Sequence, residues 1–582
     1  MSQPSKPPQT PADAFTESLE VALRDPVSLE LRDDLDEFVP AIPPQSFYRL
    51  ARALHEEGRL DLLFPHADPE QLTTVIDLGA WQGERLDVLR VREWITAIVH
   101  TYEDSRAPRG ALTKLIQAMD PEIWTFSLLA GTSVYELDPD DDEARERARQ
   151  AVDGLYTYDT PDGGFLVAVA DDPIGRAAVR ILDAVYHDDL RLGRELTLSI
   201  AGGLYSVIEE DLLRWRNGRL ADLGFVPWDE AIRLLRPLTP EQALRREPQP
   251  KPGFGAGLEQ EPAPVPAEAG LLRRVLDRLD PGEAGLRTRE FLLLTNEVIA
   301  AQRLPPGEPA SAERALLQTR GTLDLGLELL ATARPEGEEV DAFLAGQAAR
   351  IGLRDIFRVG FGALAKLRAA ALALHRSGQV SIESIGSLLD RPWGPTLRAL
   401  AQRLPEIPLE ETSDKTRPLS SLRDVAKATQ RIAEATLLAG LTFADAGFGL
   451  DPVWVQRADE PSRLTLGDLL RSALLHRRLP GAGAAFAPLR ADDLDWAARE
   501  LLDDSRALLP GLRADLEARA RALGAAEATT KAVVDGVLAR LQVELAGLER
   551  DDDGAPDLTR VGGLLTIQRV SVWLRTGLTQ AQ

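Results

Sequence analysis

A mainly α fold is expected for this chain: an array of helical repeats or hairpins with one small β-hairpin insertion, followed by a C-terminal helical bundle. Three observations lead there. Apolar residues recur three and four apart over long stretches, as in "IGRAAVRILDAVYHDDLRLGRELTLSI". A capping residue followed by Pro opens several of these runs, as in "ADPEQL" at 67–72 and "MDPEIW" at 119–124. Only "LYTYDTPDGGFLVAVA" at 155–170 clearly alternates with the period of a strand.

The elements follow in order. Residues 1–30 open with "MSQPSKPPQTPADAF", which has no apolar signal-peptide core and reads as a disordered tail. Residues 31–245 are expected to form a helical-repeat domain. Within it, Asp68 and Asp120 precede Pro, so each carboxylate can accept free backbone N–H groups while the Pro sacrifices none. Glu70 and Glu122 then fall in the first turn, where negative charge meets the positive end of the helix dipole. Thr239 in "LTPEQAL" and the Asp-Pro of "RLDPGEAGL" at 278–286 repeat the device. Recurrence at irregular intervals suggests stacked hairpins, each burying a face against the next. The caps are read as architecture, since a capping carboxylate points at its own helix end and its pKa is lowered there.

In the strand-like stretch, Tyr156, Tyr158, Phe165, Val167 and Val169 alternate about a "TPDGG" turn. A lone hairpin is marginal in water, so it must pack on helices or gain another strand. Residues 246–270, "REPQPKPGFGAGLEQEPAPVPAEAG", hold little to bury and form the expected linker and domain boundary. Residues 271–582 read as an all-helical C-terminal domain with short turns, its 496–549 stretch able to hold two long packed helices.

Two resemblances accompany this reading. The starts in "ADPEQLTTVIDLGAWQGERLDVLRVREWI" and "GALTKLIQAMDPEIWTFSLLAG" resemble the helical repeats in the cytosolic N domain of bacterial magnesium transporters. "IDLGAW" at 76–81, "TPDGGFLVAV" at 160–169, "RWRNGRLADLGF" at 214–225 and "IFRVGFGAL" at 356–364 are together similar to an uncharacterised bacterial family of large soluble proteins, known as a domain of unknown function. That likeness spans most of the chain and implies a shared fold, with no activity, substrate or catalytic residue.

Composition narrows the function. The chain has 582 residues, 44% of them hydrophobic, and a formal charge of -25, which repels phosphate backbones and anionic lipid. Nucleic acid is therefore not an expected partner. It contains no Cys, which removes thiolate nucleophiles, disulfides and iron–sulfur clusters. The most apolar stretch, "FGALAKLRAAALAL" at 361–374, carries Lys366 and Arg368 and is too short to span about 30 Å of hydrocarbon. No integral membrane segment is expected, and the protein is placed in the cytoplasm.

Catalytic motifs are missing. There is no Walker A loop, GxSxG elbow or HExxH helix. "VGFGALAK" at 359–366 lacks the Gly-Lys-Ser/Thr ending of a phosphate loop. "DPDDDE" at 138–143 and "DDDG" at 551–554 lack the bidentate Glu of a calcium loop and read as solvated turns. His55, His66, His100, His187, His375 and His476 share no metal-ligand spacing. "RWRNGR", from Arg214 to Arg219, could stack on bases and bind phosphate, but Arg packing on Trp215 explains it more simply. No catalytic, cofactor or metal residue is assigned and no cofactor is expected. The sequence points to a non-enzymatic scaffold or regulatory adaptor that binds a protein partner. The alternative is an enzyme or small-molecule sensor whose site forms only in the tertiary structure.

Overall fold

Each Pro-initiated start becomes a helix N-terminus, and the caps explain why. Asp68 closes a capping box: its Oδ1 accepts from Gln71 N at 2.7 Å, while Gln71 Oε1 accepts from Asp68 N at 3.2 Å. Asp120 accepts from Glu122 N at 3.2 Å. Thr239 and Gln242 form a second box, and Asp280 accepts from Gly282 and Glu283. The architecture is a computed structural model that describes residues 11–104, 110–138, 141–248, 270–381, 384–458, 463–483, 485–550 and 554–570. It is mainly α, with small antiparallel strand groups.

The chain forms two compact units. The first comprises Met1–Arg236, Glu247–Thr319 and Ala345–Arg354; the second comprises Pro237–Arg246, Arg320–Leu344 and Asp355–Gln582. This division differs from a break at 246–270, because residues 271–319 belong with the first unit. Composition marks a stretch with little to bury but not where the chain returns afterwards. Residues 249–269 of that stretch lie outside the described residues.

In the first unit, α1 (Pro11–Arg24) and a 3-10 turn (Pro26–Leu31) stand where a disordered tail was expected. Leu19, Ala22 and Leu29 are buried, and the Phe15 ring lies 5.3 Å from that of Phe38. The tail reading failed because it extended the Pro-rich composition of residues 1–10, themselves outside the described residues, over an amphipathic helix. The chain continues through α2 (Leu35–Phe38), α3 (Pro44–Glu56) and α4 (Pro69–Gly79). A tight hairpin of β1 (Trp81–Gln82) and β2 (Arg85–Leu86) follows, turned by Gly83 at φ 67°. Then come α5 (Val88–Asp104), α6 (Ala111–Ala118) and α7 (Pro121–Leu129).

The sheet has three strands. β3 (Thr132–Glu136) precedes α8 (Asp142–Ala151), and β4 (Tyr156–Asp159) and β5 (Phe165–Val169) form the expected hairpin, pairing Tyr156 with Val169 and Asp159 with Leu166. β3 pairs with the other edge of β5, giving the order β3-β5-β4. Every residue of β5 is buried. Helices α9 (Pro173–Asp188), α10 (Leu190–Gly202), α11 (Tyr205–Asp222) and α12 (Trp228–Ala231) complete this stretch, and the Pro281–Gln302 helix packs against α12.

The second unit begins with α13 (Pro240–Leu244) and takes in parts of the Pro309–Thr332 helix and of the Val340–Arg376 stretch, where two helices meet at a break at Gly352, φ 74°. Their segments in this unit cross backbone to backbone: a Cβ on Gly326 would lie 2.1 Å from the Ile356 carbonyl oxygen, and one on Gly360 would lie 2.0 Å from that of Thr322. Helices Leu422–Phe443, Leu466–His476, Pro510–Ala522 and Glu527–Ala546 pack as a bundle. The last two are the packed pair expected within 496–549.

Candidate functional site

Two arginines one turn apart on α11 organise the first unit. Arg216 is 5% exposed, and its Nε donates to the backbone oxygen of Asp77 at 2.8 Å. Arg219 grips the carboxylate of the same residue, Nε to Oδ2 at 2.6 Å and Nη2 to Oδ1 at 3.0 Å. Asp77, in the last turn of α4, is 2% exposed. Burial opposes its ionisation, and this two-pronged contact supplies the compensating charge. Burial also works against the Arg219 cation, but the carboxylates of Asp77 and Asp120 outweigh it and raise its pKa.

Close packing holds this joint. Gly79 lets α4 approach its neighbours, since a Cβ there would stand 2.8 Å from Trp94 Nε1 and 2.9 Å from the Tyr48 ring. The Arg216 guanidinium lies over the Trp81 ring, 4.8 Å from its centre. The Leu223 carbonyl, just past α11, accepts from both Gln45 Nε2 at 2.9 Å and Asn296 Nδ2 at 3.0 Å.

On one side of α11 is a cavity of about 460 Å³. The β1–β2 hairpin, Asn217 and Leu220 of α11, Phe225, Trp228 and the C-terminal end of the Pro281–Gln302 helix line it. Among the described residues, its cations are Arg85, Arg216 and Arg303, against one acid, Glu84. Burial pulls Arg216 down to about 10, which leaves it charged at neutral pH. Arg303 adopts the left-handed conformation at φ 57°, where a helix end favours Gly, and its guanidinium stacks 4.3 Å from the Trp228 ring centre. A cation held at a strained backbone position in a cavity wall is a feature of ligand sites. Among the described residues, the cavity lining contains no Ser, Cys, His or Lys.

A second, more open cavity of about 460 Å³ is lined by Asp68, Glu70, Thr73, Asp120 and Arg219. Here the two Asp-Pro starts meet. Asp120 Oδ2 stands 3.4 Å from Arg219 Nη1. A hydrogen bond with the Asp120 carboxyl, reinforced by burial, pushes Glu122 up to about 7. Glu122 was expected to meet the positive end of the helix dipole, but the hydrogen bond with Asp120 and burial favour its protonated form.

The remaining sequence candidates do not converge. His66 pairs with Asp36 at 2.6 Å, His55 lies 4.8 Å from Trp94, and His476 is buried against Phe486. His187 and His375 stand in the last turns of their helices. "VGFGALAK" is mid-helix. Residues 139, 140 and 142 of the first acidic run, and 551–553 of the second, have no described side chains. Among the described residues, no group of three or more His, Asp and Glu could hold a metal ion, and no helix is long and apolar enough to cross a membrane. An Arg does pack on Trp215, the Arg214 guanidinium lying 5.3 Å from the ring centre, yet Arg216 and Arg219 of the same run turn inward. Their i, i+3 spacing placed them on one face, but their common target, Asp77, is 139 to 142 residues away. That pairing is invisible to local pattern.

A family described as "Family of unknown function (DUF6178)" matches residues 28–566. No curated protein matches, and no solved structure matches. The likeness to magnesium-transporter repeats gains no support from these comparisons.

Proposed function

Because the chain belongs to this family of unknown function, which lends it no activity, we propose from the site itself that the first unit binds a small organic anion with a flat apolar part. The carrying observation is the cavity beside α11, where Arg216 and Arg303 supply charge and Phe225 and Trp228 supply apolar walls. Three arginines against one glutamate make this wall locally basic in a strongly acidic chain. With Glu84 the single acid among the described lining residues, the cavity favours binding over catalysis. This supports the sensor reading over the scaffold reading.

The test is a thermal-shift panel of aromatic carboxylates and nucleoside monophosphates on the full chain, followed by calorimetry with the best ligand. At a ligand concentration about a hundredfold above Kd, binding should add about 2.7 kcal/mol of stability. Arg303→Ala should weaken binding at least about tenfold without lowering the stability of the free protein. No shift with any panel member at millimolar concentration, or unchanged affinity in Arg303→Ala, would refute the proposal.

A protein-partner reading draws on the exposed Leu198, Leu204 and Val207 of the α10–α11 region. If it holds, Leu204→Glu should abolish capture of a specific partner from host extract.

A further inference from the structure

The second unit contains a cavity of about 640 Å³, lined by Leu238, Leu329, Val359, Leu367, Val425 and Ile432 among others. Its wall includes the segment that carries α13, fastened at both ends. Leu238 N donates to the Arg358 carbonyl at 3.1 Å, and Arg246 Nη1 donates to both oxygens of Asp355 at 2.9 and 2.8 Å. Gly362 keeps the floor close to this segment, since its Cβ would stand 3.0 Å from the Leu238 carbonyl oxygen.

The polar atoms around the cavity are largely spent on the fold. Thr239 Oγ1 and Gln242 Oε1 accept each other's backbone N–H in the capping box, and Thr429 Oγ1 donates to the Val425 carbonyl at 2.8 Å. Helical wall segments bond their own backbone groups internally. A polar ligand would therefore lose water without replacement, whereas an alkyl chain would not. Among the described lining residues one is charged: Lys366, which is exposed. It lies in the electrostatic range of Glu241 on α13 but makes no ion pair within 4.0 Å among the described residues.

We infer that this cavity binds an alkyl carboxylate, with its chain among the leucines and its carboxylate at Lys366 in contact with water. The match is one of charge and polarity: an apolar interior suits an apolar body, and the one charged residue described in the lining, a cation, suits an anionic end. This site is independent of the anion cavity in the first unit.

Calorimetry on the full chain tests it with saturated fatty acids of increasing length and the corresponding primary alcohols. Affinity should rise about fourfold per methylene until the cavity is full. Lys366→Met should weaken acids about fivefold and leave alcohols unchanged. Ala363→Trp should abolish binding of both; because that residue is partly buried, Thr429→Trp, at an exposed lining position, serves as the second blocking variant. Failure of every acid and alcohol to bind would overturn the inference. So would equal binding by a folded blocking variant, or loss of acids and alcohols alike in Lys366→Met. A blocking variant that loses only a protein partner would assign the cavity to that partner and overturn it too.

Discussion

Replacing Asp120 by Asn separates two roles of one side chain. As a cap, Asp120 accepts the Glu122 N–H at 3.2 Å, and an Asn carbonyl can do the same. As a charge, it shares a hydrogen bond with Glu122 and, together with burial, raises that carboxyl to about 7 from an ordinary 4.5. A carboxyl with a raised folded pKa keeps a proton in the folded chain that the unfolded chain has already lost. Its contribution to stability is therefore fully present below about 4.5 and is withdrawn as pH rises towards about 7. Unscreened, the gap of 7 − 4.5 = 2.5 would amount to about 3.4 kcal/mol at 1.36 kcal/mol per pH unit. Glu122 is only partly buried, so solvent reduces this to about 1 kcal/mol. The assay is urea unfolding of the full chain from about pH 5 to about pH 8, comparing midpoints between variants because a chain this long need not unfold in two states. Asp120→Asn should gain on the wild type by about 1 kcal/mol across the window, and Glu122→Gln should flatten the same slope. Parallel curves for wild type and both variants would refute the shared proton.

Asp68 has no such partner role, so Asp68→Ala should cost about 0.5–2 kcal/mol while Asn or Ser restores most of it. Thermal melts check this, and equal, negligible effects of Ala and Asn would remove the capping account. Arg219→Met leaves the Asp77 carboxylate buried without its cation and should cost about 3–5 kcal/mol in urea unfolding. Asp77→Leu combined with Arg219→Met should recover part of that loss, because the stranded charge is gone.

Local features were legible in the sequence and tertiary ones were not. Asp68, Thr239 and Asp280 announced helix starts because a cap and its Pro act within four residues. The Tyr156 to Val169 hairpin was legible because its turn sets its register. β3 was missed: five residues reach their partner strand only across α8, so nothing adjacent marks the pairing. The resemblance to a family of unknown function, carried by segments such as "IDLGAW" and "RWRNGRLADLGF", is matched by the family comparison. Those two segments meet at Asp77, Arg216 and Arg219, a contact that no spacing encodes. Glu122 looked like any first-turn acid; its raised pKa comes from a hydrogen bond with the neighbouring Asp120 carboxyl and from burial, and the burial was not legible.

The order in which the two units draw their segments has a consequence for synthesis on the ribosome. Pro237–Arg246 emerges early, yet the rest of its unit starts only at Arg320, which is 320 − 246 = 74 residues later. At about 5–20 residues per second, Leu238 and α13 wait roughly 4–15 s for the rest of their unit to begin emerging. The first unit is likewise incomplete until Ala345–Arg354 has been made, after a stretch belonging to the second. Neither unit can therefore finish folding as a simple N-to-C module, and a nascent chain halted near residue 300 would expose the Leu238 side chain that the finished protein buries.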